Sequence, residues 1–252
     1  MDRWQALGQI VPINGGGHAM EDSGYARFCP TAMAASILEP RWTMLILCEL
    51  FSGAARFGEI QAGLPGLSPS LLSRRLKELM ASGLVLRHES AGGVVTYRAT
   101  ATAEELEPLL HGLGEWAHRN IDPEIGLREI DHRMLMWNIR RKIDVSALPR
   151  RRAVVQFTLR EDGTEPVDYW LLIRPNAETD LCVVDPKQNV DLFILSDLRA
   201  LARAWVGHSS FSAEISAGRI ELIGDADMAS SLTRWMLRSS FACDPSPRAV
   251  VE

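Results

Sequence analysis

The most constraining stretch runs from Leu64 to Ala99. Leu64-Pro65-Gly66 marks a tight turn. Ser68-Pro69 then opens a helix, because a serine hydroxyl caps free backbone amides and proline suits the first helical position. The helix runs to about Ser82 and stops at Gly83. Two β-prone runs follow, 84–89 and 94–99, separated by Ser90-Ala91-Gly92-Gly93, which reads as a hairpin. Helical patterns precede this block at 31–38, 41–51 and 56–62, and another follows at 104–120. Helix, helix-turn-helix, hairpin, helix is the order of a winged helix, a fold that delivers one helix into the DNA major groove.

On the helix beginning at Pro69, the spacing places Leu72, Leu76 and Leu79 on one face, which is the core face. The opposite face carries Ser70, Arg74 and Lys77, with Ser73 at its edge and Arg75 pointing sideways. Arg74 suits a guanine edge, while Arg75 and Lys77 suit phosphates, which position a protein without reading sequence. Ser68, at the helix start, joins this DNA-binding set, and Arg87 and Arg98 extend it onto the hairpin. A charged face on an amphipathic helix is ordinarily only solvated. Here the preceding turn, the Ser-Pro start and the following hairpin favour DNA. The whole chain carries a net charge of −5, yet residues 67–98 hold Arg74, Arg75, Lys77, Arg87 and Arg98 against Glu78 and Glu89. That local excess suits one DNA-facing surface on an acidic protein.

The same segment resembles the HxlR-type winged helix regulators. The matching elements are Cys29-Pro30, Pro40-Arg41-Trp42, Ile46-Leu47, Arg56-Phe57-Gly58-Glu59-Ile60 and Gly66-Leu67-Ser68. They continue through Leu72-Ser73-Arg74-Arg75-Leu76, Leu79, Gly83-Leu84-Val85, Tyr97, Thr100 and Trp116. The resemblance implies a homodimer, packed through the helices at 31–38 and 104–120, on a pseudo-palindromic double-stranded operator. One departure stands out: where the family's wing carries two prolines and a basic residue, this chain has Gly92, Gly93 and Val94. Cys29 matches a cysteine that senses oxidants in some family members. It stands as a possible redox residue beside the alternative of a small side chain near the dimer interface. No adjacent Lys or His is present to lower its pKa.

After Asp122-Pro123 the pattern changes. A helix is expected over 125–143, then strands at about 154–159, 169–173, 181–184 and 190–194, a helix at 197–205, strands at 211–216 and 219–223, and a helix at 227–238. Mixed α and β after a helical module indicates a second domain and an α+β class overall. Within it, Val154–Leu159, Trp170–Ile173, the run from Asp197 to Ala204, Gly207, Ala213, Gly218-Arg219-Ile220 and Gly224-Asp225 resemble the sterol-carrier-protein-2 family. That resemblance implies a mixed sheet with helices over an apolar tunnel. It nominates Met134, Trp137, Phe157, Trp170, Phe193, Trp205, Phe211, Trp235 and Met236 as ligand-binding candidates, although aromatics at such spacing also build plain cores. The domains expected are a flexible arm at 1–24, a winged helix at 25–122 and a sterol-carrier-like domain at 123–245.

The chain has 252 residues, 46% hydrophobic and 23% charged, which fits a soluble globular protein. No apolar run is long enough for a membrane span and residues 1–20 lack a signal-peptide pattern, so the cytoplasm is the expected site. The four cysteines have no C-x-x-C spacing, and no nucleotide loop, nucleophile elbow or zinc motif appears. No catalytic residue, metal or cofactor is expected. The clusters Arg140-Arg141-Lys142 and Arg150-Arg151-Arg152 read as solvated surface, and Asp225 and Asp227 as helix-starting carboxylates. The leading expectation is a ligand-responsive regulator, more in the manner of a repressor, with a hydrophobic small-molecule effector. The alternatives are a thiol switch at Cys29, or a lipid carrier whose winged helix only dimerises.

Overall fold

The computed structural model describes residues 28–242 apart from 129 and 176. The expected arm at 1–24 lies outside the described residues, as does Cys243. The described residues form two compact units that meet in sequence between Trp116 and Ala117. Among them, no helix is long and apolar enough to cross a membrane.

The first unit contains α1 (Pro30–Leu38), α2 (Thr43–Phe51), α3 (Phe57–Gly63), α4 (Pro69–Ala81), β1 (Val85–Glu89), β2 (Val95–Ala99), α5 (Ala101–Glu104) and most of α6 (Glu107–Asn120), whose last turn belongs to the second unit. Ser68 caps α4 by accepting a hydrogen bond from the Leu71 amide at 3.3 Å, and Pro69 follows it. Leu72, Leu76 and Leu79 of α4 are buried with Ile46, Leu47, Ile60 and Leu84. Each such side chain contributes about 1.5–3 kcal/mol on burial. Strands β1 and β2 pair antiparallel with Arg87 opposite Tyr97, and Gly93 takes the turn's positive φ of 77°. The Tyr97 amide donates to the Ala55 carbonyl at 2.7 Å, which ties the wing to the segment before α3. The single helix expected over 104–120 is divided, because Thr100 caps a short α5 through the Ala103 amide before α6 begins.

The second unit contains α7 (Pro123–Arg128), α8 (His132–Arg141), β3 (Ala153–Arg160), β4 (Val167–Ile173), β5 (Asp180–Cys182), β6 (Leu192–Asp197), α9 (Leu198–Val206), α10 (Phe211–Ser216), β7 (Ile220–Gly224), α11 (Ala226–Ser230) and α12 (Leu232–Trp235). The sheet order is β5-β4-β3-β6-β7, with β3 and β6 parallel and the other neighbours antiparallel. Val155, Phe157, Leu159, Tyr169, Leu171, Leu192, Ile194 and Ile220 meet Met136, Leu201, Phe211, Met228 and Trp235 in one core. The helices therefore cover one face of the sheet.

Four expectations differ here. The helix expected over 125–143 is two, because the Asp131 carboxylate accepts from the Arg133 and Met134 amides and starts α8 afresh. The strand expected at 211–216 is helix α10: Ser210 caps it through the Ala213 amide, and Phe211 and Glu214 are buried at helical spacing. The helix expected over 227–238 is two short ones, α11 ending at Ser231 where α12 begins. The strand expected at 190–194 lies further on, as β6.

Candidate nucleic-acid interface

Helix α4 is held from behind by a corner in the chain before α2. Trp42 takes a left-handed backbone (φ 80°), rare for a residue with a bulky side chain. Its ring reaches toward Gly66, where a Cβ would sit 3.2 Å from the ring edge, so the turn before α4 favours glycine. The neighbouring Arg41 lies over the Trp42 ring at 5.2 Å, and its carbonyl accepts a 3.0 Å hydrogen bond from Arg75 Nε. Arg75 Nη1 also donates to Glu78 at 2.5 Å, and its side chain is only 12% exposed. Arg75 therefore braces α4 against the Arg41-Trp42 corner, and a contact to phosphate, as its spacing suggested, would break that brace.

The outward face carries the rest. Arg74 is 69% exposed and donates from Nε to Glu78 Oε1 at 2.9 Å. Burial alone would raise the Glu78 carboxyl, but hydrogen bonds and charge from Arg74 and Arg75 outweigh it and hold it below its ordinary value. Sequence reasoning assigned no role to Glu78; its i,i+4 spacing from Arg74 was the available signal. An exposed pair of this kind is worth about 0–1 kcal/mol, against about 1–3 kcal/mol for a bidentate guanine contact, so it orients Arg74 without locking it. Ser70 and Lys77 are exposed, Ser73 is half-buried, and Ser68 and Ser70 hydroxyls lie 3.2 Å apart. On the wing, Arg87 pairs with Glu89 at 2.8 Å and Arg98 is exposed on β2. Ser70, Arg74 and Lys77 thus share one accessible face of α4, with Arg87 and Arg98 on the separate wing hairpin.

Exposed apolar side chains mark a different surface. Leu109, Leu113 and Trp116 are exposed at i, i+4, i+7 on α6, and Met33 is exposed on α1. Neither helix has a fully buried residue. Cys29 precedes α1, and the amides of Ala32 and Thr31 lower its thiol pKa. The helix start supplies the influence that no neighbouring Lys or His provides. Cys48, by contrast, is pushed up by burial and by the charge of Glu49.

The nine ligand-binding candidates are not gathered in one place. Phe157, Phe211, Trp235 and Met236 lie in the helix-covered core of the second unit, and Trp205 packs against it half-buried. Trp235 Nε1 donates to the Met228 carbonyl at 2.9 Å, a bond that fixes its ring within that core. Trp170 and Phe193 sit at alternate strand positions on the other sheet face. Met134 is exposed on α8, and Trp137 lies under the guanidiniums of Arg140 and Arg141 at 4.1 and 5.2 Å. Among the described residues, the indole nitrogens of Trp137 and Trp205 are buried without an acceptor. No group of His, Cys, Asp and Glu among the described residues is arranged to hold a metal.

The HxlR-like helix-turn-helix family matches residues 37–125. The HTH-type transcriptional regulator YvaP of Bacillus subtilis is 40% identical over 101 residues, which is 39% of this chain and 94% of YvaP. Among solved structures, the reduced form of the transcriptional regulator YodB from B. subtilis is 33% identical, covering 38% of this chain and 96% of that one, with a TM-score of 0.35. The redox regulator HypR in its oxidized form is 27% identical and covers 37% of this chain and 99% of that one, with a TM-score of 0.35.

Proposed function

This chain belongs to the HxlR-like helix-turn-helix family, and on that premise we propose that it is a homodimeric transcriptional repressor reading a pseudo-palindromic operator. The observation that carries the reading is α4: leucines inward, Arg75 bracing it from behind, and Ser70, Arg74 and Lys77 outward. Arg74 reads a base edge; Lys77 and the wing arginines Arg87 and Arg98 contact phosphates. The exposed apolar row of α6, with Met33 of α1, supplies the self-complementary surface of a two-fold dimer. The second unit is a sterol-carrier-like sensor, and its effector is a hydrophobic small molecule. The mixed sheet with helices on one face supports this, as do the unpartnered indole nitrogens of Trp137 and Trp205, which a polar atom on the effector would satisfy. Effector binding shifts operator affinity only to the extent that it favours one dimer state over the other.

Operator fragments selected from random duplexes provide the test, by fluorescence anisotropy. Arg74→Ala lowers the preference for selected over scrambled duplex by about 10- to 100-fold while sedimentation still reports a dimer. Unchanged preference overturns the assignment of α4.

A second reading is favoured by the lowered pKa of Cys29, which enriches the thiolate, the form that reacts with oxidants. A relative, YodB, has been solved both reduced and diamide-treated. Under this reading, diamide releases operator from the wild type and leaves Cys29→Ser bound. Equal release from both proteins removes Cys29 from the mechanism and leaves the effector reading in place.

A further inference from the structure

The five-stranded sheet has a second face. Register places Trp170 and Leu172 of β4, Val154 and Gln156 of β3, Phe193 and Leu195 of β6, and Ile223 of β7 opposite the core-facing residues. Val154 and Trp170 are buried yet belong to no part of the helix-covered core, while Phe193 and Ile223 are exposed. Trp170 is fixed in this row by donating from Nε1 to Gln156 Oε1 at 3.2 Å.

At one end of the row is a cleft of about 130 Å³, lined by Arg152, Ala153, Val154, Leu172, Ile173, Arg174 and Gln188. Its polar side chains are two arginines and a glutamine; no carboxylate lines it. Three arginines near this end differ in what holds them. Arg151 is occupied by Asp191 and Asp225 at 2.6 and 2.9 Å, and Arg174 pairs with Asp180. Arg152 has no carboxylate partner among the described residues. The cleft therefore offers a guanidinium free to take an anion, a second close by, and an apolar floor of Val154 and Leu172. That floor continues in register toward Trp170 and Phe193.

We propose that this cleft binds the carboxylate head of an amphipathic acid, with Arg152 as the head-group ligand and the start of the apolar tail resting on Val154 and Leu172, which line the cleft. Charge selects the head, since a guanidinium and a carboxylate form paired hydrogen bonds. Val154 and Leu172 select the tail, since covering apolar side chains removes them from water. The site lies away from the helix-covered core and stands independently of the effector reading.

The test uses the full chain, with dansyl-undecanoate and its methyl ester as fluorescent probes. The carboxylate probe binds saturably and more tightly than the ester. Arg152→Gln weakens the carboxylate about tenfold or more and leaves the ester unchanged, as expected for loss of a charge-assisted contact. Arg174→Gln has a smaller effect, because Asp180 already engages that side chain. Leu172→Asn weakens both probes alike. Arg152 is exposed, so its replacement leaves the fold intact, and far-ultraviolet circular dichroism verifies this. Absence of saturable binding, equal affinity for acid and ester, or full affinity in Arg152→Gln each overturns the proposal.

Discussion

In the first unit, residue type and direction largely agree: Leu72, Leu76 and Leu79 of α4 face inward and Ser70, Arg74 and Lys77 face outward, with Arg75 the exception. In the second, the same kinds of aromatic and aliphatic residue divide between two faces of one sheet. Phe157 is core, and Phe193, its near neighbour across the parallel pair, is exposed. A winged helix thus exposes its chemistry as charge on an apolar scaffold. A half-covered sheet hides its chemistry among residues that look alike, and register alone separates them.

The sharpest test of that division sets the two phenylalanines against each other. Phe157→Ala costs the second unit about 3–5 kcal/mol, as a cavity in a closed core does, measured by denaturant unfolding or by amide exchange in β3. Phe193→Ala on the open face costs well under that, about 0.5–1 kcal/mol, and equal losses would mean that both faces are core.

Next in size is a pH effect confined to the second unit. Tyr169 is buried with its hydroxyl 2.6 Å from His132 Nδ1, and burial, with the charge of Asp131, pushes its pKa up to about 12, Arg133 opposing. The unfolded chain releases this proton near pH 10, so between about pH 10 and 12 the folded state holds more protons and stability falls as pH rises. The loss reaches about 2–3 kcal/mol at most. Wild type minus Tyr169→Phe, followed across that window, isolates it; parallel curves would mean that the hydroxyl ionises as freely in the fold as outside it.

In the first unit the corresponding test is smaller. Ser68→Ala removes the cap on α4 and lowers thermal stability by about 1 kcal/mol. Operator preference survives, because Arg74 and Lys77 are untouched. Loss of preference would make the cap part of the reading face.

The first unit was legible because its signals are local and redundant. Ser68-Pro69 starts α4, Gly83 ends it, and the leucine spacing orients it. What escaped was long-range: Arg75 reaches a carbonyl 34 positions earlier, which no helical wheel displays. In the second unit even element type was ambiguous. Phe211, Ala213 and Ile215 alternate as a strand would, and six residues are too few for period two to be told from a helical turn. Ser210 decides the matter by capping the Ala213 amide. Glu214, buried and paired with Arg219 at 2.5 Å, also went unread, since nothing in the sequence marks an acid five residues from its partner across a turn.

The brace between Arg75 and the Arg41 carbonyl separates two properties that DNA-binding helices often entangle. The seat of α4 depends on Arg75, Glu78, Trp42 and the buried leucines, while the face it presents consists of Ser70, Ser73, Arg74 and Lys77. Under the proposed reading of α4, the outer four positions form an exchangeable cassette: sequence preference can be rewritten there while the angle of approach to the groove is inherited unchanged.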